Sequence, residues 1–560
     1  MKRSYEYQRR HDCIVSILRE ATGKREVILN DGGSHADFAT TQAFVEAKGL
    51  KQSPLQWATG FVKQYADQIA SQAGATVEAK GPYINFHLDE TYLPAALAEA
   101  VKAGYGTLPK SDERVVIEHT SANPNGPLHV GHIRNSIIGD TLVRCFRTTG
   151  KKVEVQYYVN DMGRQIAIVV YGFDHLDTGA LPDEKPDHHI ARVYIAANRA
   201  LEQDPSVVDE VNQLMQKVEL GVPDVVRRFR SAVGRCLEGF EVTMHRLSVS
   251  HDRFVWESEF IRNGDTDRLF GRIKRIPEYR EDGKVWIDLT AEGFEKEYVL
   301  RRSDGTSVYA ARDLAYHIWK ARNFDRMIDV LGADHKLIGA QLIATLRLLG
   351  EKFPEIVHFE FVSLPEGSMS TRAGKFVSAD ELMDEVTMKA YDEVTSRRSD
   401  LDEDSRRRIA HSVAIAAIRY DIVKVSPEKS TVFDWKEALN FERQSGPYIQ
   451  YAHARACSIL EKAGDFDFAF ELKTPHELLL ARHVARFPAV IEDVVNELKP
   501  HLLAAYAREL ADHFNAFYHF DPVLQSEGMS RRSRLTLVLA VRNTLSEALG
   551  NLGIDAIRTM

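Results

Sequence analysis

Cysteine, long apolar runs and excess positive charge are all scarce in this 560-residue chain. Its four cysteines, at 13, 145, 236 and 457, have no CxxC spacing, which argues against a disulfide framework and a cysteine-rich zinc site. We therefore expect no structural metal. No stretch is long and apolar enough to span a bilayer, and no signal-type apolar core follows the first residues, so we expect a cytoplasmic protein without membrane association.

The net charge of -9 excludes a protein that attracts polyanions through its overall charge. Phosphate contacts, however, need only local basic clusters. Arginines are grouped at 227–235, 406–408 and 531–534. Because such groups are often solvated helix faces, they leave nucleic-acid binding open without establishing it.

The length predicts two to four domains, and the sequence pattern divides into three. Residues 1–108 read as a separate α/β domain, in which residues 37–40 open a helical stretch and residues 81–88 form a turn and an alternating strand. A linker follows at 109–112. Beyond about 390 the periodicity is helical, with helices beginning near Ser405, Gly446, Pro475, Pro500 and Ser530, which predicts an α-bundle over 391–560.

The middle region, 109–390, alternates strands with helices. Apolar β-branched runs at 115–118, 153–159 and 326–332 predict a parallel sheet with its ligand at the carboxyl ends of the strands. The polar, helix-rich stretch from about 170 to 285 interrupts the alternation, and we interpret it as an insertion into this nucleotide-binding fold.

The most informative segment follows the first of these strands. It comprises a turn and a helix start, Asn123, Pro124, Asn125, Gly126, Pro127, Leu128, His129, Val130, Gly131 and His132. A helix N-terminus suits phosphate, Gly131 allows an adenine ring to approach the backbone, and the two imidazoles can donate to phosphate oxygens. A second loop, Ser368 to Arg372, lies about 240 residues downstream, and we expect its Met369 and Ser370 to contact ATP as well. The pair of segments predicts that the chain activates a substrate with ATP.

The chain resembles the arginyl-tRNA synthetases of class I along essentially its whole length. His129 to His132 resembles their HIGH motif, and the similarity continues at 157–166, 304–313, 446–455 and 506–518. Residues 37–40 and 81–86 are similar to the family's additional N-terminal domain. The resemblance implies an α/β fold: a Rossmann-type catalytic domain with an insertion, an N-terminal α/β domain, and an all-α anticodon-binding domain with a DALR-like core at 446–560.

The resemblance also implies the reaction, in which L-arginine, ATP and tRNA(Arg) give arginyl-tRNA through an arginyl-adenylate, with Mg²⁺ accompanying the pyrophosphate. Tyr309 and Asp313, one helical turn apart, offer a phenol and a carboxylate to a guanidinium. The family adds Glu118, Ser121 and Asn123 as arginine contacts, with Asn123 at either the α-amino or the α-carboxylate end. It further implies tRNA contacts at Phe38, Asn85, Tyr448, Gln450, Tyr451 and Arg455. We expect a monomer. The resemblance implies that bound tRNA can take part in activation, and the sequence leaves open whether activation strictly requires it.

One departure from the family concerns the downstream loop. The class pattern KMSKS is replaced by Ser368-Met369-Ser370-Thr371-Arg372, so both lysines are absent, and no lysine stands in Asn125-Gly126-Pro127 before the histidine motif. Arg372 and Lys375 are the nearest candidates for the catalytic cation opposite the leaving pyrophosphate. The alternative is that they only solvate the loop.

Two other functions compete with this interpretation. A cysteinyl-type synthetase has a similar domain plan but needs thiolate ligands for a substrate-sensing zinc, which four isolated cysteines do not supply. A tRNA-binding paralogue without activation chemistry would not need His129, Gly131, His132, Tyr309 and Asp313 to be intact. ATP–pyrophosphate exchange separates the scaffold from the enzyme.

The altered loop gives a first prediction. Replacing Arg372 with alanine should slow arginyl-adenylate formation by on the order of 10² or more with little change in ATP affinity, as for the loss of one preorganised donor to a transition state. Lys375→Ala should act in the same direction but less, because a flexible ammonium loses more entropy for each contact. Single-turnover adenylate formation measures both. Parental rates in both variants would place the compensating cation elsewhere.

Overall fold

The computed structural model describes residues 5–33, 35–303, 305–363 and 377–560. The loop residues predicted above to contact ATP or pyrophosphate, Met369, Ser370, Arg372 and Lys375, lie outside the described residues. Among the described residues, no helix is both long enough and apolar enough to cross a membrane.

The N-terminal region packs helices on one antiparallel sheet, in the strand order β1-β2-β4-β3. Its elements are α1 (Glu6–Thr22), β1 (Asn30–Asp31), β2 (Phe38–Thr40), α2 (Gln42–Leu50), α3 (Pro54–Ala73), β3 (Ala75–Lys80), β4 (Tyr83–Leu88) and α4 (Leu93–Ala100). The prediction that residues 37–40 open a helix is wrong, because Phe38–Thr40 pairs with β4 as a strand and the helix begins at Gln42. The aromatic Phe38 and the β-branched Thr40 are residue types that favour a strand.

The middle region is built on a five-stranded parallel sheet in the order β12-β11-β5-β6-β7. Its first half contains β5 (Arg114–Glu118), α5 (Val130–Thr148), β6 (Lys152–Val159), α6 (Arg164–His175), α7 (Pro186–Gln203), α8 (Pro205–Glu219), α9 (Pro223–Arg246) and β7 (Arg253–Trp256). Its second half contains α10 (Glu257–Arg262), α11 (Asp265–Ile273), β8 (Tyr279–Glu281), β9 (Val285–Ile287), β10 (Tyr298–Arg301), α12 (Tyr309–Asn323), β11 (Arg326–Gly332), α13 (Lys336–Leu348), β12 (Glu355–Phe359) and β13 (Val362–Ser363).

The stretch 170–285, interpreted from the sequence as an insertion, does not lie wholly outside the sheet. Helices α7, α8 and α9 pack beside α6, but β7 pairs with β6 and completes one edge of the central sheet. The short strand Arg253–Trp256 is only four residues long, so its apolar signal is too weak to stand out from the helical sequence around it.

The C-terminal region is helical, as predicted. It consists of α14 (Ala379–Arg397), α15 (Glu403–Val423), β14 (Thr431–Val432), α16 (Trp435–Ala438), α17 (Gly446–Ala463), α18 (Pro475–Glu497), α19 (His501–Phe520) and α20 (Gly528–Asn551). Ser445 and Thr474 cap α17 and α18 through their side-chain oxygens, and each helix has proline in its first turn, which is why the sequence locates these starts well.

Two fully buried arginines join this bundle to α5. Arg134 donates to the carbonyl oxygens of Glu360 at 2.7 Å and Lys429 at 2.8 Å. Arg419 donates to Asp140 and to the carbonyl oxygens of Leu552 and Leu247. Because each guanidinium satisfies groups from separate segments, α5 is held in place from both sides.

Candidate active site

The centre of the parallel sheet provides the site. The chain adds β6 and β7 on one side of β5, and β11 and β12 on the other, so the crossover direction reverses between β5 and β11. Ligands of such sheets bind outside the carboxyl ends of the strands at this point. Glu118 ends β5 and lies directly opposite Asp329 of β11 in the parallel register.

The chain leaves β5 through two residues with left-handed backbone. Thr120 has φ 71° and Ser121 has φ 38°, a region that a β-branched residue rarely adopts. The Thr120 amide donates to Asn135 Oδ1 at 2.7 Å, and the Ser121 hydroxyl donates to Glu118 Oε1 at 3.1 Å. The Tyr158 amide donates to Ser121 Oγ at 3.1 Å. These contacts hold Ser121 beside Glu118, another of the residues predicted to bind arginine.

His129 and His132 form a stacked pair at the beginning of α5. Their ring centroids are 3.6 Å apart, with 19° between the planes. His129 is the N-cap, and its Nδ1 accepts from the amides of Gly131 at 3.0 Å and His132 at 3.4 Å, while His132 Nδ1 accepts from the His129 amide at 3.3 Å. Since both Nδ1 atoms are acceptors, the proton of each neutral ring is assigned to Nε2.

The histidine pair is electrically neutral at physiological pH. Burial lowers the pKa of His129 to about 4, and burial together with the neighbouring His129 lowers the pKa of His132 well below its usual value. The pair therefore offers two N–H donors of fixed tautomer rather than two cations. Such donors stabilise charge as it develops without binding ground-state phosphate as strongly as an imidazolium would.

Gly131 has a structural role beside the one predicted for adenine. A Cβ atom there would lie 2.9 Å from Cε1 and 3.1 Å from Nδ1 of the His129 ring. Any larger residue would therefore displace the ring that caps the helix. Asn123 is exposed and its Oδ1 accepts from Asn160 Nδ2 at 3.2 Å, so its side chain is available at the mouth of the site.

Helix α12 brings the predicted phenol and carboxylate together. Tyr309 is its first residue and Asp313 follows one turn later. Burial around the Tyr309 hydroxyl and the negative charge of Asp313 raise the pKa of this tyrosine well above 10, although 36% of the residue is exposed. Asp313 is buried, although aspartates are seldom buried unless cations pair with them.

Three further ionisable residues lie next to the carboxylates of Glu118 and Asp313, and sequence reasoning missed all three. Lys320 Nζ donates to Glu118 Oε2 and to Asp329 Oδ1, both at 2.7 Å. His317 Nε2 lies 2.7 Å from Asp329 Oδ2, and its Nδ1 lies 2.8 Å from the carbonyl oxygen and 3.2 Å from Oδ1 of Asp313. The available signal was Asp329, a charged residue inside the apolar run of β11.

These residues do not form a metal site. Among the described residues, Glu118, His317 and Asp329 form the one group of three potential metal ligands whose ligand atoms all lie within 4.8 Å of one another. The Lys320 ammonium, however, donates to both carboxylates of that group. A second cation would have to displace a fully buried lysine, so the donor set does not fit Mg²⁺.

The segment that follows the predicted loop returns to the histidine motif. The Ala379 amide donates to the Leu128 carbonyl oxygen at 2.7 Å, and Ser378 forms an antiparallel bridge with His129. Ser378 also caps α14, in a reciprocal arrangement with Glu381. Ser378 and Ala379, the described residues that follow the second segment in the chain, are therefore joined to the histidine motif at the beginning of α5.

Four of the six residues predicted to contact tRNA have little exposed surface. Phe38, Asn85, Tyr448 and Gln450 are buried, and the Gln450 amide donates to the Asp555 carbonyl oxygen inside the bundle. These four residues contribute to packing, and their contact with tRNA stays a prediction. Tyr451 is 40% exposed, and the Arg455 guanidinium lies 4.8 Å from its ring and 4.9 Å from that of Tyr518.

Comparison with known proteins agrees with this architecture. Residues 92–435 match the model for class I tRNA synthetases (R), catalytic domain; residues 449–560 match the DALR anticodon binding domain; and residues 11–88 match the arginyl tRNA synthetase N terminal domain.

Related sequences and structures cover the whole chain. It is 65% identical to an arginine–tRNA ligase of Methanoregula boonei over 98% of this chain and 99% of the relative, and 60% identical to that of Methanosphaerula palustris over 98% and 99%. The arginyl-tRNA synthetase structure of Thermus thermophilus is 30% identical, with TM-score 0.85, over 98% of this chain and 99% of that one. That of Plasmodium falciparum, 17% identical with TM-score 0.80 over 100% of both chains, shares the fold.

The parallel sheet, the histidine-capped helix and the helical C-terminal domain define a class I aminoacyl-tRNA synthetase. Within that class the chain belongs to the arginyl-tRNA synthetase family, the enzymes that charge tRNA with arginine for translation.

The neutral histidine pair makes a testable prediction about pH. Because the pKa of His129 is about 4, neither ring gains a proton between pH 5.5 and 8.5, and pyrophosphate exchange should show no inflection near pH 6.5. His129→Asn keeps a good N-cap but removes the Nε2 donor, so its rate should fall across the whole range with the same profile. An inflection near 6.5 that vanished in this variant would show that the imidazolium is the active form.

Proposed function

We propose that the carboxylates of Glu118 and Asp313 bind the guanidinium of L-arginine, with the Tyr309 phenol beside it. The observation that carries this proposal is the presence of buried negative charge at the carboxyl end of β5, where sheets of this topology bind ligand. A planar guanidinium pairs well with carboxylates because it donates two parallel hydrogen bonds. Ser121 orients Glu118, and Asn123 holds the α-amino or α-carboxylate end.

The second half of the proposal concerns ATP. Adenine lies over Gly131, and the phosphates receive N–H donors from the first turn of α5 and from His129 and His132. An oxygen of the arginine carboxylate bonds to the α-phosphorus, and the bond from that phosphorus to the bridging oxygen breaks with release of pyrophosphate. A ribose hydroxyl at the tRNA 3′ end then attacks the arginyl carbonyl carbon, and AMP leaves. Positioning and charge stabilisation supply the acceleration, and no protein nucleophile is needed.

ATP enters this reaction as its Mg²⁺ complex. The substrate phosphates would supply the main ligands of the ion, as they do at many nucleotide sites. This is supported by the unsuitability of the Glu118, His317 and Asp329 group, which Lys320 already neutralises. Arg372 and Lys375 remain our candidates for the cation at pyrophosphate, since Ser378 fixes the end of their segment beside His129.

The three regions divide the work along the boundaries predicted from the sequence. Residues 109–390 carry the chemistry, and residues 1–108 and 391–560 bind tRNA(Arg). The exposed arrangement of Tyr451, Arg455 and Tyr518 supports the second part, because aromatic rings and an arginine plane are what unpaired bases stack on. We propose that the enzyme acts as a cytoplasmic monomer and that tRNA binding completes the site before activation.

Replacing Asp313 with asparagine tests the arginine pocket. This change keeps the shape but removes a charge that faces the guanidinium, so arginine binding should weaken by roughly 2 to 4 kcal/mol. The KM for arginine in tRNA-dependent pyrophosphate exchange should rise accordingly, while the KM for ATP stays near the parental value. Unchanged use of arginine would refute the assignment of this residue.

Replacing Tyr451 with alanine tests the tRNA surface. Loss of one stacking ring should raise the KM for tRNA by an amount corresponding to about 1 to 3 kcal/mol, without an effect on the KM for arginine. Exposed Phe468, which lies on the connection between α17 and α18, is a matched control. Equal effects of Tyr451→Ala and Phe468→Ala would indicate that the predicted surface is not the one that binds tRNA.

A further inference from the structure

Five ionisable side chains form one buried cluster behind the proposed guanidinium site. The carboxylates are Glu118, Asp313 and Asp329, and the cations are Lys320 and His317. Asp329, Lys320 and His317 are enclosed, at 3% exposure or less, whereas Glu118 and Asp313 retain 6% and 8%. A ligand can therefore reach only the last two carboxylates, and the remaining three residues act from behind them.

Hydrogen-bond geometry fixes the charge of His317. Its Nε2 faces Asp329 Oδ2 at 2.7 Å and its Nδ1 faces the Asp313 carbonyl oxygen at 2.8 Å, and both partners can only accept. Lys320 Nζ is 3.3 Å from Nε2, but it already donates to two closer carboxylates. Both ring nitrogens must therefore carry a proton. Burial and Lys320 act to lower the pKa of His317, but Asp313 and Asp329 raise it to about 10.

The count of charges is then three negative and two positive. Neighbouring groups do not change it, because the adjacent buried carboxylate, Glu257, is paired with Arg312. An uncompensated charge in a buried cluster is costly, and a bound cation of one charge removes that cost. The cluster is thus short of one positive charge at the position where its accessible carboxylates lie.

We propose that Lys320 and Asp329 are specificity-determining positioning residues, which together set the arginine pocket to a deficit of one positive charge. Lys320 holds Glu118 through Oε2 and cancels the charge of Asp329, so that Glu118 and Asp313 are left to share a single external guanidinium. Asp329 in turn accepts a hydrogen bond from Nε2 of His317, and this imidazolium lies beside Asp313. This inference rests on the proposed arginine-binding role of Glu118 and Asp313.

A double-mutant cycle tests the charge count. Lys320→Met removes one positive charge and leaves the cluster at two negative charges in excess. Asp329→Asn leaves the cluster with no excess charge, so a guanidinium would overfill it. The combination K320M/D329N restores one negative charge in excess, with the amide oxygen at 329 still accepting from His317.

The measured quantities are the KM for arginine and the KM for ATP in tRNA-dependent pyrophosphate exchange with the full-length enzyme. Each single variant should raise the KM for arginine at least about tenfold, and the double variant should return it to within about threefold of the parent, with the KM for ATP unchanged throughout. Lys151→Met removes a lysine paired with Glu113 outside the site and should leave both constants unchanged.

A merely structural role for Lys320 predicts the opposite pattern. The double variant would then be as impaired as the sum of its parts, and kcat and both KM values would change together. Should K320M fail to fold, the comparison of D329N with the double variant still decides, because the proposal requires tighter arginine binding in the double variant. Glu118→Gln distinguishes failure of the proposed pocket from failure of the charge count. An unchanged KM for arginine in this variant refutes the pocket itself. A raised KM together with an additive double-mutant cycle refutes only the charge count.

Discussion

The pairing of β5 with β11 is the contact on which the rest of the site depends. It sets Glu118 opposite Asp329 and places two carboxylates side by side at the centre of the sheet. Two buried carboxylates so close would repel each other strongly unless a cation lay between them, and Lys320 of α12 is that cation. The same helix carries Tyr309 and Asp313, so the ion pairs between α12 and the sheet also orient the proposed arginine pocket.

The nucleotide side of the site depends on α5 in a similar way. Its N-terminus is closed by the His129 ring, whose Nδ1 is occupied by backbone amides and whose donor face is thereby fixed. Farther along the helix, Arg134 and Arg419 join it to the C-terminal bundle. Hydrogen bonds thus fix α5 at its first turn and in its middle, and its link to the bundle is the contact through which tRNA bound there would act on the proposed phosphate site.

Much of this architecture could be predicted from the sequence, because its signals are local. The signals are the cap residue and proline at the beginnings of α17 (Ser445) and α18 (Thr474), the apolar runs of β5 and β11, and the histidine motif, and each depends on neighbours in the chain. The parts that could not be predicted depend on tertiary contacts. In the sequence Lys320 looks like a solvated helix residue, and only the structure shows that β5 and β11 enclose it. The burial of Phe38 and Gln450 likewise depends on packing between segments that are distant in the chain.

The central claim is that buried carboxylates at the end of β5 bind arginine through its guanidinium. A crystal structure of the enzyme with L-arginine and tRNA measures it directly, through the distances from the guanidinium nitrogens to the carboxylate oxygens of Glu118 and Asp313. The account predicts hydrogen bonds to both, at about 2.7 to 3.2 Å, with the Lys320 ammonium still between Glu118 and Asp329. A guanidinium bound elsewhere, or a Lys320 displaced from Glu118 by the substrate, would contradict it.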